Sequence, residues 1–199
     1  MSTEKEKKYN KLMTLAIAVI VLLAFSICGC GVNNGNGSSG ENDSEHMFPS
    51  FEGRTFTGEE IDNDVFKEKA VTVVNFWFND CPACTAEMEE LDKLNKDLNG
   101  KDGHVIGVNT DAFDGNKKNI ELAEKIMQSK KASYSNIWVT SDSELANFTQ
   151  KITGYPTTYV VDRNGKIAGD PVMGGIDNKA LKEELQKQID DTITKDKQK

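Results

Sequence analysis

The stretch that most constrains this chain is residues 71–98, VTVVNFWFNDCPACTAEMEELDKLNKDL. Residues 71–78 are a nearly continuous β-branched and aromatic run, which reads as a central strand buried on both faces. Two cysteines three apart follow almost at once. Pro82 suits the first turn of a helix. Met88, Leu91, Leu94 and Leu98 then form one apolar stripe until Asn99-Gly100 stops it. A buried strand, a cysteine pair and an amphipathic helix therefore come in immediate succession.

The rest of the pattern extends this unit. Residues 51–58 read as a short hairpin with turns at Gly53 and Gly58, and Phe66 closes a small helical segment. His104 to Asn109 and Asn136 to Thr140 read as strands, separated by a helix carrying Ile120, Ala123, Ile126 and Met127. Ser141 or Asp142 can cap a short helix through Phe148. Thr157 to Asp162 is a further strand, with Arg163-Asn164-Gly165 as its turn and residues 166–169 as its partner. A last helix carries Leu181, Leu185 and Ile189. Strands and helices alternate first, and an antiparallel hairpin and a helix follow. The expected fold class is α/β, a central mixed sheet flanked by helices on both faces.

The chain has four cysteines, at 28, 30, 81 and 84, and two histidines, His46 and His104. A closed zinc site needs four ligands, so no metal site is expected. As a structural staple Cys81–Cys84 would close too small a loop to constrain the unfolded chain much. Redox cycling between dithiol and disulfide is the reading that remains, and it needs no added cofactor.

The N-terminus reads as a targeting segment. Lys5, Lys7, Lys8 and Lys11 precede sixteen uncharged residues and then small ones, the layout of a secretory signal. An uncleaved transmembrane anchor is the alternative, although sixteen residues is short for a span. Residues 31–46 hold no large apolar side chain except Val32 and read as a flexible tether. The expected organisation is a signal over 1–29, a tether over 30–47, a domain over 48–193 and a frayed tail over 194–199. The formal charge is −8, and because residues 1–29 carry four Lys and two Glu, −10 falls on the remainder. Nucleic acid is thus not an expected partner of the folded part.

Three features in order resemble the thioredoxin fold, and within it the extracytoplasmic TlpA- and ResA-type thiol–disulfide oxidoreductases. They are the strand NFWF running into CPAC, the segment GYPTTYVVD at 154–162, and the hairpin and helix around RNGKIAGDPVMGG. The resemblance covers about residues 48–190, with the helical region 113–133 matching an insertion typical of that branch. At a helix N-terminus Cys81 is favoured as a thiolate, so it is assigned as nucleophile and Cys84 as the resolving thiol. Pro156 resembles the family's cis-proline, and Tyr155 before it would offer its backbone to an extended substrate. Ile27-Cys28-Gly29-Cys30 resembles a bacterial lipobox, which implies lipid attachment at Cys30 and a membrane anchor on the extracytoplasmic side. The resemblance further implies protein dithiol or disulfide clients, apocytochrome c among the candidates. It also implies re-reduction by a membrane thiol conduit of the CcdA or DsbD type, and the domain is expected to act as a monomer.

Some positions depart from the family. Asn75 stands where many thioredoxins carry a buried Asp, so a base for Cys84 must come from elsewhere. The resemblance places a Glu shortly after the strand VIGVN, where Asp111, Ala112 and Asp114 stand; both acids read as exposed loop carboxylates. Asp80 replaces the Trp that commonly precedes the first cysteine, and its charge should disfavour the Cys81 thiolate. A peroxiredoxin-like peroxidase shares the fold, but would place a Thr before its cysteine, and Thr85 comes after the pair. A Sco-like copper-delivery protein would need CxxxC and a later His near Pro156, and neither is present.

Overall fold

A computed structural model describes residues 46–198. The elements are β1 (Glu52–Thr55), β2 (Glu60–Asp62), a 3-10 helix (Asn63–Glu68), β3 (Val71–Trp77), α1 (Pro82–Asn99), β4 (Gly103–Asn109), α2 (Lys117–Ser129), β5 (Ser135–Val139), α3 (Glu144–Thr149), β6 (Thr157–Asp162), β7 (Val172–Met173) and α4 (Lys179–Asp196). One seven-stranded sheet runs in the order β2-β1-β5-β4-β3-β6-β7. β3, β4 and β5 are parallel, while β1 and β6 are antiparallel to their neighbours. This is the thioredoxin-like α/β arrangement expected from the strand and helix pattern.

All seven residues of β3 are buried, as its nearly continuous β-branched and aromatic run requires, with Thr72 and Asn75 the polar members. Val71 and Val73 pack with Leu91, Leu94 and Leu98 of α1 and Leu185 and Ile189 of α4. Val74 and Phe76 face the opposite layer, with Phe48, Phe66, Leu145 and Val161. A third cluster gathers Trp77, Cys81, Cys84, Met88 and Ala123 where α1 meets α2.

The structure corrects several local expectations. Gly53 lies inside β1, not in a turn, and glycine is needed there because a Cβ would meet the Trp138 carbonyl of β5 at 2.3 Å. Gly58, with φ +94°, is the true turn residue. The cap of α3 is Ser143, whose hydroxyl accepts the Ala146 N–H at 3.0 Å. Residues 166–169 do lie against β6, with Asp162 N–H donating to the Lys166 carbonyl, Ala168 N–H to the Val160 carbonyl and a bridge from Ile167 to Val161, but the regular strand on that side of β6 is β7. α4 continues to Asp196, which receives Arg163 Nε–H at 2.6 Å, so residues 194–196 are not frayed. His46 and Met47, placed in the tether, already engage the domain through Ile167 N–H and Lys166. The signal segment, the tether up to residue 45, and Cys28 and Cys30 lie outside the described residues. Among the described residues no helix is long and apolar enough to cross a membrane.

Candidate redox site

The parallel strand β3 delivers the chain to its C-terminal edge, where Phe78, Asn79 and Asp80 turn into α1. This turn is held by a polar network. Asn79 N–H donates to Asp111 Oδ2 at 2.8 Å, Asn109 Nδ2 donates to Asn79 Oδ1 at 3.0 Å, and Asn79 Nδ2 donates to the Asn119 carbonyl at 3.1 Å. Asp111 is therefore a structural acceptor for the turn before the cysteines, not a free loop carboxylate. Asp114, in the 3-10 turn Phe113–Gly115 of the same connection, accepts the Ser141 N–H at 2.8 Å.

Cys81 is the N-cap of α1, in extended backbone, with Pro82 in the first turn. Its Sγ accepts the Cys84 N–H at 3.1 Å. One of the unpaired N–H groups of the helix start is thus aimed at that sulfur, the geometry that favours a thiolate once the pair is reduced. Cys81 and Cys84 form a disulfide with their Cα atoms 5.3 Å apart. They are 4% and 1% exposed, so the outer sulfur has only a narrow opening to solvent and the inner one none to speak of. Asp80, next to Cys81, is exposed.

The Tyr155–Pro156 peptide bond is cis. β6 runs antiparallel to β3 with Thr157 opposite Phe76, so Pro156 lies at the edge where β3 opens into Cys81. The Pro156 carbonyl accepts the Gly174 N–H at 2.8 Å. The Tyr155 ring meets Phe78 edge-on, with centroids 5.3 Å apart, and packs against the cluster containing both cysteines. Trp77 is fully buried beneath the pair, and its Nε1–H donates to Asn136 Oδ1 at 2.7 Å. Gly107 makes room for that contact, since a Cβ there would stand 2.0 Å from Asn136 Oδ1.

One functional candidate escaped the sequence reading. Glu87, one turn beyond Cys84 on α1, is fully buried. Its Oε1 accepts Asn75 Nδ2–H at 2.8 Å and its Oε2 accepts the Ile176 N–H at 2.8 Å. Burial pushes its carboxyl up to about 7; the Ile176 and Asn75 donors hold it down, and the nearby Asp177 charge adds to the rise. The buried acid therefore sits on α1, under the cysteines, and not after β4 where the resemblance placed it. A signal for it was available: residues 84, 87, 88 and 91 follow i, i+3, i+4, i+7, so a glutamate occupied a core position of the stripe. The Gly174-Gly175-Ile176 segment closes over this acid, with Gly175 beside the Ala83 carbonyl.

The model of the AhpC/TSA family matches residues 45–169. The chain belongs to the AhpC/TSA family. Thioredoxin-like protein YneN of Bacillus subtilis (strain 168) is 29% identical over 138 residues, 69% of this chain and 75% of that protein. Among solved structures, a Chlorobium tepidum protein provisionally named thiol:disulfide interchange protein DsbE aligns with a TM-score of 0.60 and 24% identity, over 74% of this chain and 96% of that one. The thioredoxin domain of a thiol-disulfide oxidoreductase from Bacteroides vulgatus aligns at 0.56 and 24% identity, over 71% and 94%. As a member of the AhpC/TSA family with a thioredoxin-like fold, the chain is an oxidoreductase, and Cys81 and Cys84 are the candidates for its redox centre.

Proposed function

We propose that this AhpC/TSA-family chain is a thiol–disulfide oxidoreductase of the TlpA/ResA type, reducing disulfides in proteins outside the cytoplasm while held at the membrane through a lipid on Cys30. The observation that carries the chemistry is the Cys81–Cys84 pair at the start of α1 with the buried Glu87 one turn below.

In the reduced protein the Cys81 thiolate attacks one sulfur of a client disulfide. A mixed disulfide forms and the first client thiolate leaves. Glu87, ionised, takes the Cys84 proton; the Cys84 thiolate attacks Cys81 Sγ, the protein disulfide forms, and the second client thiolate leaves. The protein loses two electrons and the client gains them. Glu87 then returns its proton to solvent or to the departing thiolate. The Tyr155–Pro156 segment offers backbone groups to an extended client beside Cys81. A membrane thiol conduit of the CcdA or DsbD type restores the dithiol, and apocytochrome c is a candidate client.

Replacing Cys84 by Ser in cells should trap the client on Cys81 for identification; a Cys81 that remains free, with no accumulated adduct, would count against the exchange mechanism. The AhpC/TSA match supports a second reading, peroxide reduction at Cys81. Insulin reduction with dithiothreitol, against turnover of hydrogen peroxide, separates the two. A Sco-like copper role has less support, because His104 bonds Thr72 near the start of β4, at the strand end away from the cysteines.

A further inference from the structure

The segment that bonds Glu87 from the side away from β3 also holds the strand edge where a client would dock. Ile176 N–H donates to Glu87 Oε2 at 2.8 Å. Two residues earlier, Gly174 N–H donates to the Pro156 carbonyl at 2.8 Å. Residues 174–176 thus join the buried acid of α1 to the Tyr155–Pro156 segment through two peptide steps, at most about 7 Å of chain. The following inference rests on the proposed roles of Glu87 and of that segment.

The join is short and has little slack. Val172 and Ile176, on either side of it, are each 1% exposed and packed in the core with Leu91 and Leu185. Asn178 N–H, at the cap of α4, donates to the Gly175 carbonyl at 3.1 Å. Gly174 turns with φ +108°, and a Cβ at Gly175 would stand 2.4 Å from Asp177 Oδ1. What varies is the acceptor at Ile176. A carboxylate takes its N–H in a charge-assisted bond, roughly twice as strong as the bond to a neutral acid. The other groups facing Glu87 are Asn75 from β3, the Tyr134 phenol just before β5 and Asp177 from the loop before α4. Asn75 does not titrate, and burial drives the phenol far above its ordinary range.

We propose that residues 174–176 form a strap that couples the charge of Glu87 to the client-docking segment. The ionised acid holds Ile176, and Gly174 then holds Pro156 where an extended client can pair with Tyr155. Once Glu87 has taken the Cys84 proton, the Ile176 bond weakens, the hold on Pro156 slackens and the client leaves. Resolution of the mixed disulfide and release of the product are thereby tied to the same proton.

The test reads amide hydrogen exchange at Gly174 and Ile176 by NMR in the full chain, disulfide form, about two pH units below and above 7. Protection factors remove the intrinsic pH dependence of exchange. Ionisation should raise protection at both amides by about fivefold, the low end of coupling between sites. Exchange through global unfolding would change the opposite way, because a raised acid pKa makes the fold less stable as pH rises. Glu87→Gln should show the low protection at both pH values, and Asp177→Asn should keep the wild-type rise. No rise at Gly174, whatever Ile176 does, overturns the proposal. So does a rise that survives in Glu87→Gln or disappears in Asp177→Asn. Should Glu87→Gln not fold, the Pro156 carbonyl carbon and the Glu87 side-chain carbon are followed across pH in the wild type. They should share one midpoint, and a flat or separate Pro156 titration is the refuting result. None of these readings needs a client, so failure of wild-type insulin reduction would count against the proposed function without deciding this point.

Discussion

Asn75 Nδ2 donates to Glu87 Oε1 at 2.8 Å, tying the central strand to the helix that carries the cysteines. The same nitrogen donates to Thr158 Oγ1 of β6 at 2.9 Å. An aspartate at position 75 would have put a second carboxylate against Glu87, and two buried like charges in contact cannot both ionise. The amide instead supplies a donor, so the layer beneath the redox pair holds one acid with neutral support.

That acid should make stability fall with pH. Its folded pKa, about 7, lies above the ordinary 4.5, so the folded state binds the proton more tightly than the unfolded chain. The contribution is complete below about pH 4.5 and is lost as pH rises through 7, about 3 kcal/mol in all. Urea unfolding at a series of pH values should show this fall in the wild type and its absence in Glu87→Gln. Parallel pH dependences in the two proteins would refute the assignment.

Glu87→Gln should also slow resolution of the mixed disulfide. General-base assistance is worth roughly 10²–10⁴-fold, and the base acts in its ionised form. Wild-type release of a client peptide from Cys81 should therefore accelerate as pH rises through about 7, while the variant is slow and loses that step. Stopped-flow release of a fluorescent peptide checks both; a variant that keeps the wild-type profile would place the base elsewhere.

Asp80 is exposed while the Cys81 beside it is nearly enclosed. Its charge should still oppose the Cys81 thiolate across one residue, so Asp80→Asn should lower the Cys81 pKa as read by thiolate absorbance in the reduced protein. The difference should shrink in high salt, because an exposed carboxylate is screened. Identical Cys81 titrations at low salt would remove Asp80 from the list of tuning residues.

Gly107→Ala should cost about 1–3 kcal/mol, the usual effect of forcing extra volume into a packed layer. The new Cβ would stand 2.0 Å from Asn136 Oδ1, the atom that receives Trp77 Nε1–H. Denaturation would report the loss, and tryptophan fluorescence should shift with it. Unchanged emission and stability would mean that the Trp77–Asn136 contact does not depend on this glycine.

The site was only partly legible in the sequence. CPAC, Pro82 and the apolar stripe of α1 are local signals, and Tyr155-Pro156 carried a recognisable motif; the structure brings all of them to one strand edge. In the sequence Asp111 looks like an exposed carboxylate, because its acceptor role toward Asn79 joins residues 32 positions apart. Glu87 lies in the helical stripe, yet a glutamate in a core position has meaning only when its partners are known. Those partners, Asn75 and Ile176, are 12 and 89 residues away.

The sequence by itself determined the succession of a buried strand, a cysteine pair at a helix start and an alternating α/β pattern, because periodicity and capping act over a few residues. Tertiary structure decided which carboxyl became the buried acid, which loop closed over it, and which partner β6 took at the sheet edge. These are long-range matters: a charged group's pKa and a strand's pairing depend on the atoms that desolvate and bond it, and folding alone brings those atoms together.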